Sequence, residues 1–202
     1  MAGPHEISRS SYRGSVLAAC ATALLGLAIA PAQTPQPRKP LDVPYVPTTE
    51  EAVAAMLKLA DVKSTDVVYD LGCGDGRIVI AAAKNFGARA VGIDIDPQRI
   101  AEANANAKRA GVEKMVRFEE NDLFQADFKE ATVVTLFLLS SINLKLRPKL
   151  LADLKPGTRV VSNTFDMGDW KPEKEITVPN SDDDSFLSHR LYLWTVPPRA
   201  AQ

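Results

Sequence analysis

The sequence has too few cysteines and too little positive charge for several classes of protein. Two cysteines in 202 residues form neither a disulfide framework nor a metal-ligand set, so we predict no metal site. Cys73 has no accompanying histidine motif and is predicted to be an inert space-filler rather than a nucleophile. A net charge of −1 provides no basic excess to neutralise phosphates, so we predict no nucleic-acid partner.

The N-terminal region differs in composition from the rest of the chain. Residues 16–30 form a nearly unbroken apolar run, shorter than the ~20 residues of a comfortable membrane span. Arginines precede the run, and Ala30-Pro31-Ala32 resembles a cleavage site, which is the layout of a secretory signal peptide. We predict a signal peptide or N-terminal membrane anchor at 1–32, a proline-rich linker at 33–47 and one folded domain at 48–198.

A glycine-rich turn is the most informative motif. Asp70-Leu71-Gly72-Cys73-Gly74-Asp75-Gly76-Arg77 follows an apolar β-branched run and precedes a helical pattern. Glycines at such a turn let the backbone approach a ligand closely. The spacing differs by one residue from the dinucleotide fingerprint. Asp70 suits a cation better than a pyrophosphate, and the amino-acid-bearing nucleoside S-adenosylmethionine (SAM) is such a cation.

Two further signals follow in the order that a SAM site requires. Asp94 closes a second predicted strand, where a carboxylate can accept the hydroxyls of a ribose. Asn121-Asp122-Leu123 follows a third strand, where an acid and an amide can meet the edge of an adenine. Each signal is weak alone, since a glycine-rich turn is also an ordinary connection between strand and helix.

Alternating strand and helix patterns predict an α/β fold. It is a Rossmann-like, doubly wound, mostly parallel seven-stranded sheet with a C-terminal antiparallel hairpin strand. A capping box formed by Thr48 and Glu51 opens the first helix. The predicted strands are 67–71, 90–93, 116–119, 132–138, 158–163, 173–178 and 186–196, and later helices are 76–85, 97–110 and 144–154.

With these residues in view, the sequence resembles the class I SAM-dependent methyltransferases. It is most similar to small protein-lysine methyltransferases, which include mitochondrial enzymes that modify an adenine-nucleotide carrier and a component of ATP synthase, together with archaeal relatives. The resemblance covers roughly residues 43–196. Its motifs are Pro44–Thr48, Val68–Ile78, Ala90–Asp94, Asn121–Leu123, Leu146–Leu150, Gly157–Ser162 and Trp170-Lys171-Pro172.

The resemblance implies a set of cofactor-binding residues. Around the methionine and ribose of SAM it places Asp70, Gly72 and Gly74, and at the ribose hydroxyls it places Asp94. Around the adenine it places Asp122 and Leu123, and over the cofactor from the N-terminal side it places Tyr45, Pro47 and Thr48. Two alternatives stay open, because Thr48 could simply cap the first helix and Tyr45 could be a hydrophobic staple.

The segment after the fourth strand concerns the methyl acceptor. Enzymes that methylate nucleic-acid amines carry an Asn/Asp-Pro-Pro-Tyr/Phe motif there, whereas this chain has Leu138-Leu139-Ser140-Ser141-Ile142-Asn143. We therefore predict neither base nor glutamine methylation. Ser140 and Asn143 are candidate residues of the acceptor channel, and helix capping by Ser140 or Ser141 is the competing interpretation.

The leading hypothesis is N-methylation of lysine side chains in a protein substrate. The alternatives are a small-molecule acceptor or a binding module that holds SAM without catalysis; the glycine spacing disfavours a nicotinamide-dependent oxidoreductase. Membrane association through the apolar segment is a further hypothesis. An export signal conflicts with a cytosolic cofactor, which leaves open a membrane anchor, a compartment supplied with SAM or a misassigned start codon.

Overall fold

The structure is a computed structural model that describes residues 45–179 and 188–199. The predicted signal peptide at 1–32 and most of the linker at 33–47 lie outside the described residues. Within the described part of the chain, no helix is both long and apolar enough to cross a membrane.

The described residues form the helices α1 (Glu50–Leu59), α2 (Arg77–Phe86), α3 (Pro97–Ala110) and α4 (Ser140–Asp153). The strands are β1 (Val67–Leu71), β2 (Arg89–Asp94), β3 (Val116–Glu120), β4 (Val133–Leu136), β5 (Arg159–Asn163), β6 (Lys174–Val178) and β7 (His189–Thr195). Helices and strands alternate from α1 to β3, after which β4 follows β3 directly and α4 lies between β4 and β5.

The first turns of two helices differ from the sequence prediction. The N-cap of α1 is Thr49, whose hydroxyl accepts a hydrogen bond from the Ala52 backbone N–H at 3.2 Å. The capping-box prediction for Thr48 is therefore wrong by one residue. Helix α4 begins at Ser140 and not at residue 144, because the Leu139 carbonyl already accepts hydrogen bonds from the two buried residues Ile142 and Asn143.

The seven strands form one sheet in the order β3-β2-β1-β4-β5-β7-β6. Strands β1 to β5 pair in parallel, and β7 runs antiparallel to both of its neighbours, β5 and β6. The predicted fold class is confirmed, including the C-terminal antiparallel hairpin. The chain runs outward from β1 to β2 and β3 and then crosses back to β4 on the other side of β1. This reversal of strand order opens a crevice at the carboxyl ends of these strands.

The sheet carries an apolar core on both faces. Alternate residues of β1 point to opposite sides, since Val68 packs with the core of α1 and α2 while Tyr69 and Leu71 pack with the core that includes α4. All five residues of β1 are buried, as expected for a central strand covered by helices on both sides. This rigid centre fixes the position of the turn that follows Leu71.

Candidate active site

A crevice opens at the carboxyl ends of β1, β2 and β4. The space within it, open solvent included, is about 1020 Å³. All nine residues of the predicted cofactor set line it: Tyr45, Pro47, Thr48, Asp70, Gly72, Gly74, Asp94, Asp122 and Leu123. The fold thus brings together residues from segments that are far apart in the chain.

The glycine turn forms the floor of the crevice. Backbone N–H groups of Gly72 and Cys73 donate to the Ile93 carbonyl at 2.8 and 3.0 Å, which ties the turn to β2. Gly74 has a φ of +52°, and a Cβ there would lie 2.4 Å from Cε2 of Tyr45. Only glycine accommodates both the left-handed backbone and the close aromatic ring.

Asp94 links the end of β2 to the glycine turn. Its carboxylate accepts hydrogen bonds from the Gly74 N–H at 2.8 Å and the Asp96 N–H at 3.0 Å. Both oxygens keep a further lone pair that can accept from a ligand hydroxyl. The Asp122 carboxylate, which also lines the crevice, accepts a hydrogen bond from the Phe124 N–H at 3.0 Å.

Asp70 is the most deeply buried acid of the crevice. Its side chain is 2% exposed and accepts a hydrogen bond from the Thr135 hydroxyl at 2.7 Å. Burial raises the pKa of Asp70 to about 7, with the nearby charges of Asp94 and Asp75 adding to the effect. A bound cation would stabilise the carboxylate form. The acidic wall therefore suits a ligand with sulfonium and ammonium groups and repels a pyrophosphate.

The N-terminal segment covers one side of the crevice. The Arg77 guanidinium forms a two-pronged ion pair with Asp75 at 2.9 and 2.7 Å and donates to the Thr48 carbonyl at 2.6 Å. The ring of Tyr45 lies against Gly74 and stacks under the Arg99 guanidinium, 4.5 Å from the ring centroid. These contacts place Tyr45 and Thr48 beside the crevice, and their covering of the cofactor stays a prediction.

The two predicted acceptor-channel residues do not line the crevice. Ser140 is exposed at the first residue of α4. Asn143 is fully buried, and its Nδ2 donates to the Ser162 hydroxyl and to the carbonyls of Phe165 and Asp166 at 3.1–3.3 Å. Asn143 therefore holds the segment after β5 in place.

Several lining residues were missed by the sequence analysis. Phe137 and Arg99 both lie on the crevice wall. Phe137 had a usable signal, because it follows β4 as the glycine turn follows β1, and the carboxyl ends of parallel strands share one edge. Arg99 had none, since an arginine on an exposed helical pattern is usually a solvated charge.

The fold and this crevice define a class I SAM-dependent methyltransferase. The sequence model of the ANTKMT methyltransferase domain matches residues 70–174, which is more than half of the chain and includes the turn, β2 and β4. The chain belongs to this family.

Individual relatives agree with this assignment. The protein-lysine N-methyltransferase of Saccharolobus islandicus is 48% identical over 155 residues, which cover 76% of this chain and 94% of the relative. A Xenopus laevis lysine N-methyltransferase, named for its action on ATP synthase, is 37% identical over 66% of this chain and 58% of the relative. This chain thus spans little more than half the length of the Xenopus laevis relative.

A solved structure supports the cofactor. The Salinibacter ruber protein described as an RNA methyltransferase, in complex with S-adenosylhomocysteine, is 54% identical and has a TM-score of 0.70. The match covers 78% of this chain and 97% of that one. S-adenosylhomocysteine is what remains of SAM after methyl transfer, so the predicted cofactor is confirmed.

Proposed function

We propose that this protein transfers methyl groups from SAM to lysine side chains of a protein substrate. The observation that carries the proposal is the crevice itself, which combines an acidic wall, a glycine floor and an aromatic cover at the switch point of the sheet. The lysine acceptor is supported by the activities named for the archaeal and animal relatives.

The chain's own residues bind and orient, and the chemistry comes from the cofactor. When bound, SAM supplies a methyl group that is already activated by its positive sulfur. Asp94 and Asp122 would hold the nucleoside and Asp70 the ammonium group. Tyr45 would exclude water from one side. An amine placed in line with the S–CH₃ bond then needs little further help, because orientation alone removes much of the barrier.

An open mouth favours a macromolecular acceptor over a small molecule. The connection between β5 and β6, residues 164–173, is short and builds no enclosing cap. Apolar side chains flank the crevice, with Val46 54% and Leu139 36% exposed. Exposed apolar side chains beside a site are typical of surfaces that bind a protein segment.

RNA is the rival acceptor, favoured by the description of the Salinibacter ruber relative. The charge of the chain argues against it, because a net charge of −1 lacks the basic excess that proteins use to hold phosphates. The acids along the crevice would also repel a nucleic-acid backbone.

Methyl-labelled SAM separates the candidate functions. The full chain is incubated with labelled SAM and cell extract, and the product is treated in parallel with protease and with nuclease. We expect protease-sensitive label, and mass spectrometry should place it on lysine; Asp94→Ala should strongly reduce it and exposed Asp127→Ala should not. Nuclease-sensitive label would establish RNA methylation, and label in the small-molecule fraction would favour a metabolite acceptor.

We also infer from the sequence that residues 1–32 direct the chain to a membrane or for export. Its support is the arginine-flanked apolar run and the small-residue site at 30–32. Cell fractionation of the full chain and of a variant lacking 1–32 tests this inference. Equal recovery of both proteins in the cytosol, with an uncleaved N-terminus on the full chain, would contradict it.

A further inference from the structure

A buried histidine lies one aromatic ring away from the cofactor crevice. Strand β7 runs antiparallel to β5, so its first residue, His189, lies at the same sheet edge as the carboxyl end of β5. The His189 ring meets the edge of Phe137, with centroids 6.3 Å apart at 72°. Phe137 also lines the crevice, so one side chain contacts both the histidine and the crevice.

The environment of His189 leaves one nitrogen unpaired. The side chain is 6% exposed, and Nδ1 lies 3.0 and 3.1 Å from the side-chain nitrogen and oxygen of Asn163. Nε2 is buried and has no hydrogen-bond partner among the described residues. Orphaned buried nitrogens are rare because desolvation is costly, so each one needs an explanation. Here a visiting polar group would provide it.

The residues around His189 are held in an unusual conformation. Thr164 has a φ of +68°, which is strained for a β-branched residue. Its N–H donates to the Arg190 carbonyl at 2.6 Å, and its hydroxyl donates to Asn163 Oδ1 at 3.0 Å. The bond from the Thr164 hydroxyl holds the Asn163 amide beside the imidazole, and the next residue, Phe165, packs against Phe137.

A pair of stacked phenylalanine rings borders the histidine. Phe137 and Phe165 stack at 6.3 Å with an angle of 27° between their planes. Two aromatic rings suit the four methylenes of a lysine, and the crevice beyond them holds the activated methyl group. A lysine that reaches the cofactor past these rings would bring its charged nitrogen close to His189.

We propose that His189 is a catalytic residue whose Nε2 takes the proton from the ammonium group of the acceptor lysine. The inference rests on the proposed lysine methylation. The N–H bond of the ammonium breaks and its proton bonds to Nε2, which leaves the electron pair on the amine nitrogen. That pair forms the N–CH₃ bond as the S–CH₃ bond breaks, and the electrons of the broken bond return to sulfur. The imidazolium then releases its proton to solvent.

The electrostatics agree with this role. Burial lowers the pKa of His189, while the charge of Glu51 on α1 acts in the opposite direction. The other groups described around the ring, Asn163, Phe137 and the strand partner Val178, carry no charge. The ring is therefore neutral at pH 7 and has a free lone pair. For Nε2 to be the acceptor, Nδ1 must carry the hydrogen and donate to Asn163 Oδ1.

His189→Gln in the full chain tests the proposal, because glutamine keeps a hydrogen-bonding group but cannot accept the proton. Single-turnover methyl transfer from labelled SAM to the protein fraction of a cell extract is measured from pH 6.5 to 10. We expect a rate about 100-fold lower near neutrality and unchanged SAM affinity by calorimetry. The deficit should shrink as pH rises, since free lysine deprotonates near pH ~10.

A control variant and two different contrary results separate the role of His189 from the proposed function. Arg190→Gln, on the exposed neighbour in β7, should keep the wild-type rate at every pH. A pH-independent deficit in His189→Gln, or none, would overturn the role of the histidine. Absence of protein labelling by the wild type would instead overturn the proposed function.

A measurement that keeps His189 in place avoids any folding defect of the His189→Gln variant. The chain contains two histidines, His5 and His189, so the imidazole NMR signals that remain in a His5→Gln protein belong to His189. A hydrogen on Nδ1 and a bare Nε2 at pH 7.5 is the expected result. A hydrogen on Nε2 would exclude its action as a proton acceptor.

Discussion

Replacement of Asp94 by alanine perturbs the crevice at the point where β2 meets the glycine turn. The Asp94 carboxylate accepts two backbone N–H groups, from Gly74 at 2.8 Å and Asp96 at 3.0 Å. The substitution leaves both donors without this partner and removes the acceptor predicted for the ribose hydroxyls. An unmade hydrogen bond of this kind costs about 1–3 kcal/mol.

That cost converts to a measurable change in affinity. We expect Asp94→Ala to bind SAM between about 5-fold and 150-fold more weakly at 25 °C. Asp94→Asn keeps one acceptor oxygen and should lie between the alanine variant and the wild type. S-adenosylhomocysteine lacks the sulfonium charge but keeps the ribose, so its affinity should fall by a similar factor.

Isothermal titration calorimetry of the three proteins with both nucleosides makes the measurement. Asp127→Ala, which removes an exposed aspartate outside the crevice, is the matched control and should bind as the wild type does. Thermal unfolding without ligand shows whether the turn itself has been destabilised. Unchanged SAM affinity in a folded Asp94→Ala protein would refute the assignment of this carboxylate to the cofactor.

Three further predictions follow from the same geometry. Gly74→Ala should weaken SAM binding by about 1–3 kcal/mol through backbone strain and the clash with Tyr45, and the loss should shrink in a Tyr45→Ala background; equal losses in both backgrounds would contradict the clash. Because the pKa of Asp70 is raised from its ordinary 3.8 to about 7, the folded protein retains a proton that the unfolded chain releases. Its stability without ligand should thus decrease as pH rises from about 4 to about 7 and then level off, while SAM affinity increases through pH 7; Asp70→Asn should remove both trends, as denaturant titrations and calorimetry can check. Asn143→Leu should lower the free energy of unfolding by about 2 kcal/mol, because the Ser162 hydroxyl and the carbonyls of Phe165 and Asp166 lose Asn143 Nδ2 as a donor. A urea midpoint equal to that of the wild type would show that these oxygens do not need this donor.

The parts of the site that the sequence predicts lie within short stretches of consecutive residues. The turn from Gly72 to Gly76 requires glycine because its backbone has positive φ, and such a requirement is visible in any window of a few residues. Asp94 was predictable for a similar reason, since the last residue of a parallel strand lies at the ligand-binding edge whatever the rest of the chain does.

The acceptor side could not be predicted in this way. Ser140 and Asn143 were chosen because they follow β4, but α4 begins at Ser140 and turns Asn143 inward. A helix rotates each successive side chain by about 100°, so an error of a few residues in its start decides which side chain faces the crevice. His189 had no local signal at all, because its partner Asn163 is 26 residues away.

The sequence by itself determined the kinds of elements, their order and the carboxylate-flanked glycine turn, because periodicity and backbone sterics act between near neighbours. Only the tertiary structure decided that β7 inserts between β5 and β6, which brings His189 to the edge of β5. It also decided that Arg77 fastens Thr48 over the crevice. Such contacts join distant segments, and their free energy depends on the packing of the whole sheet.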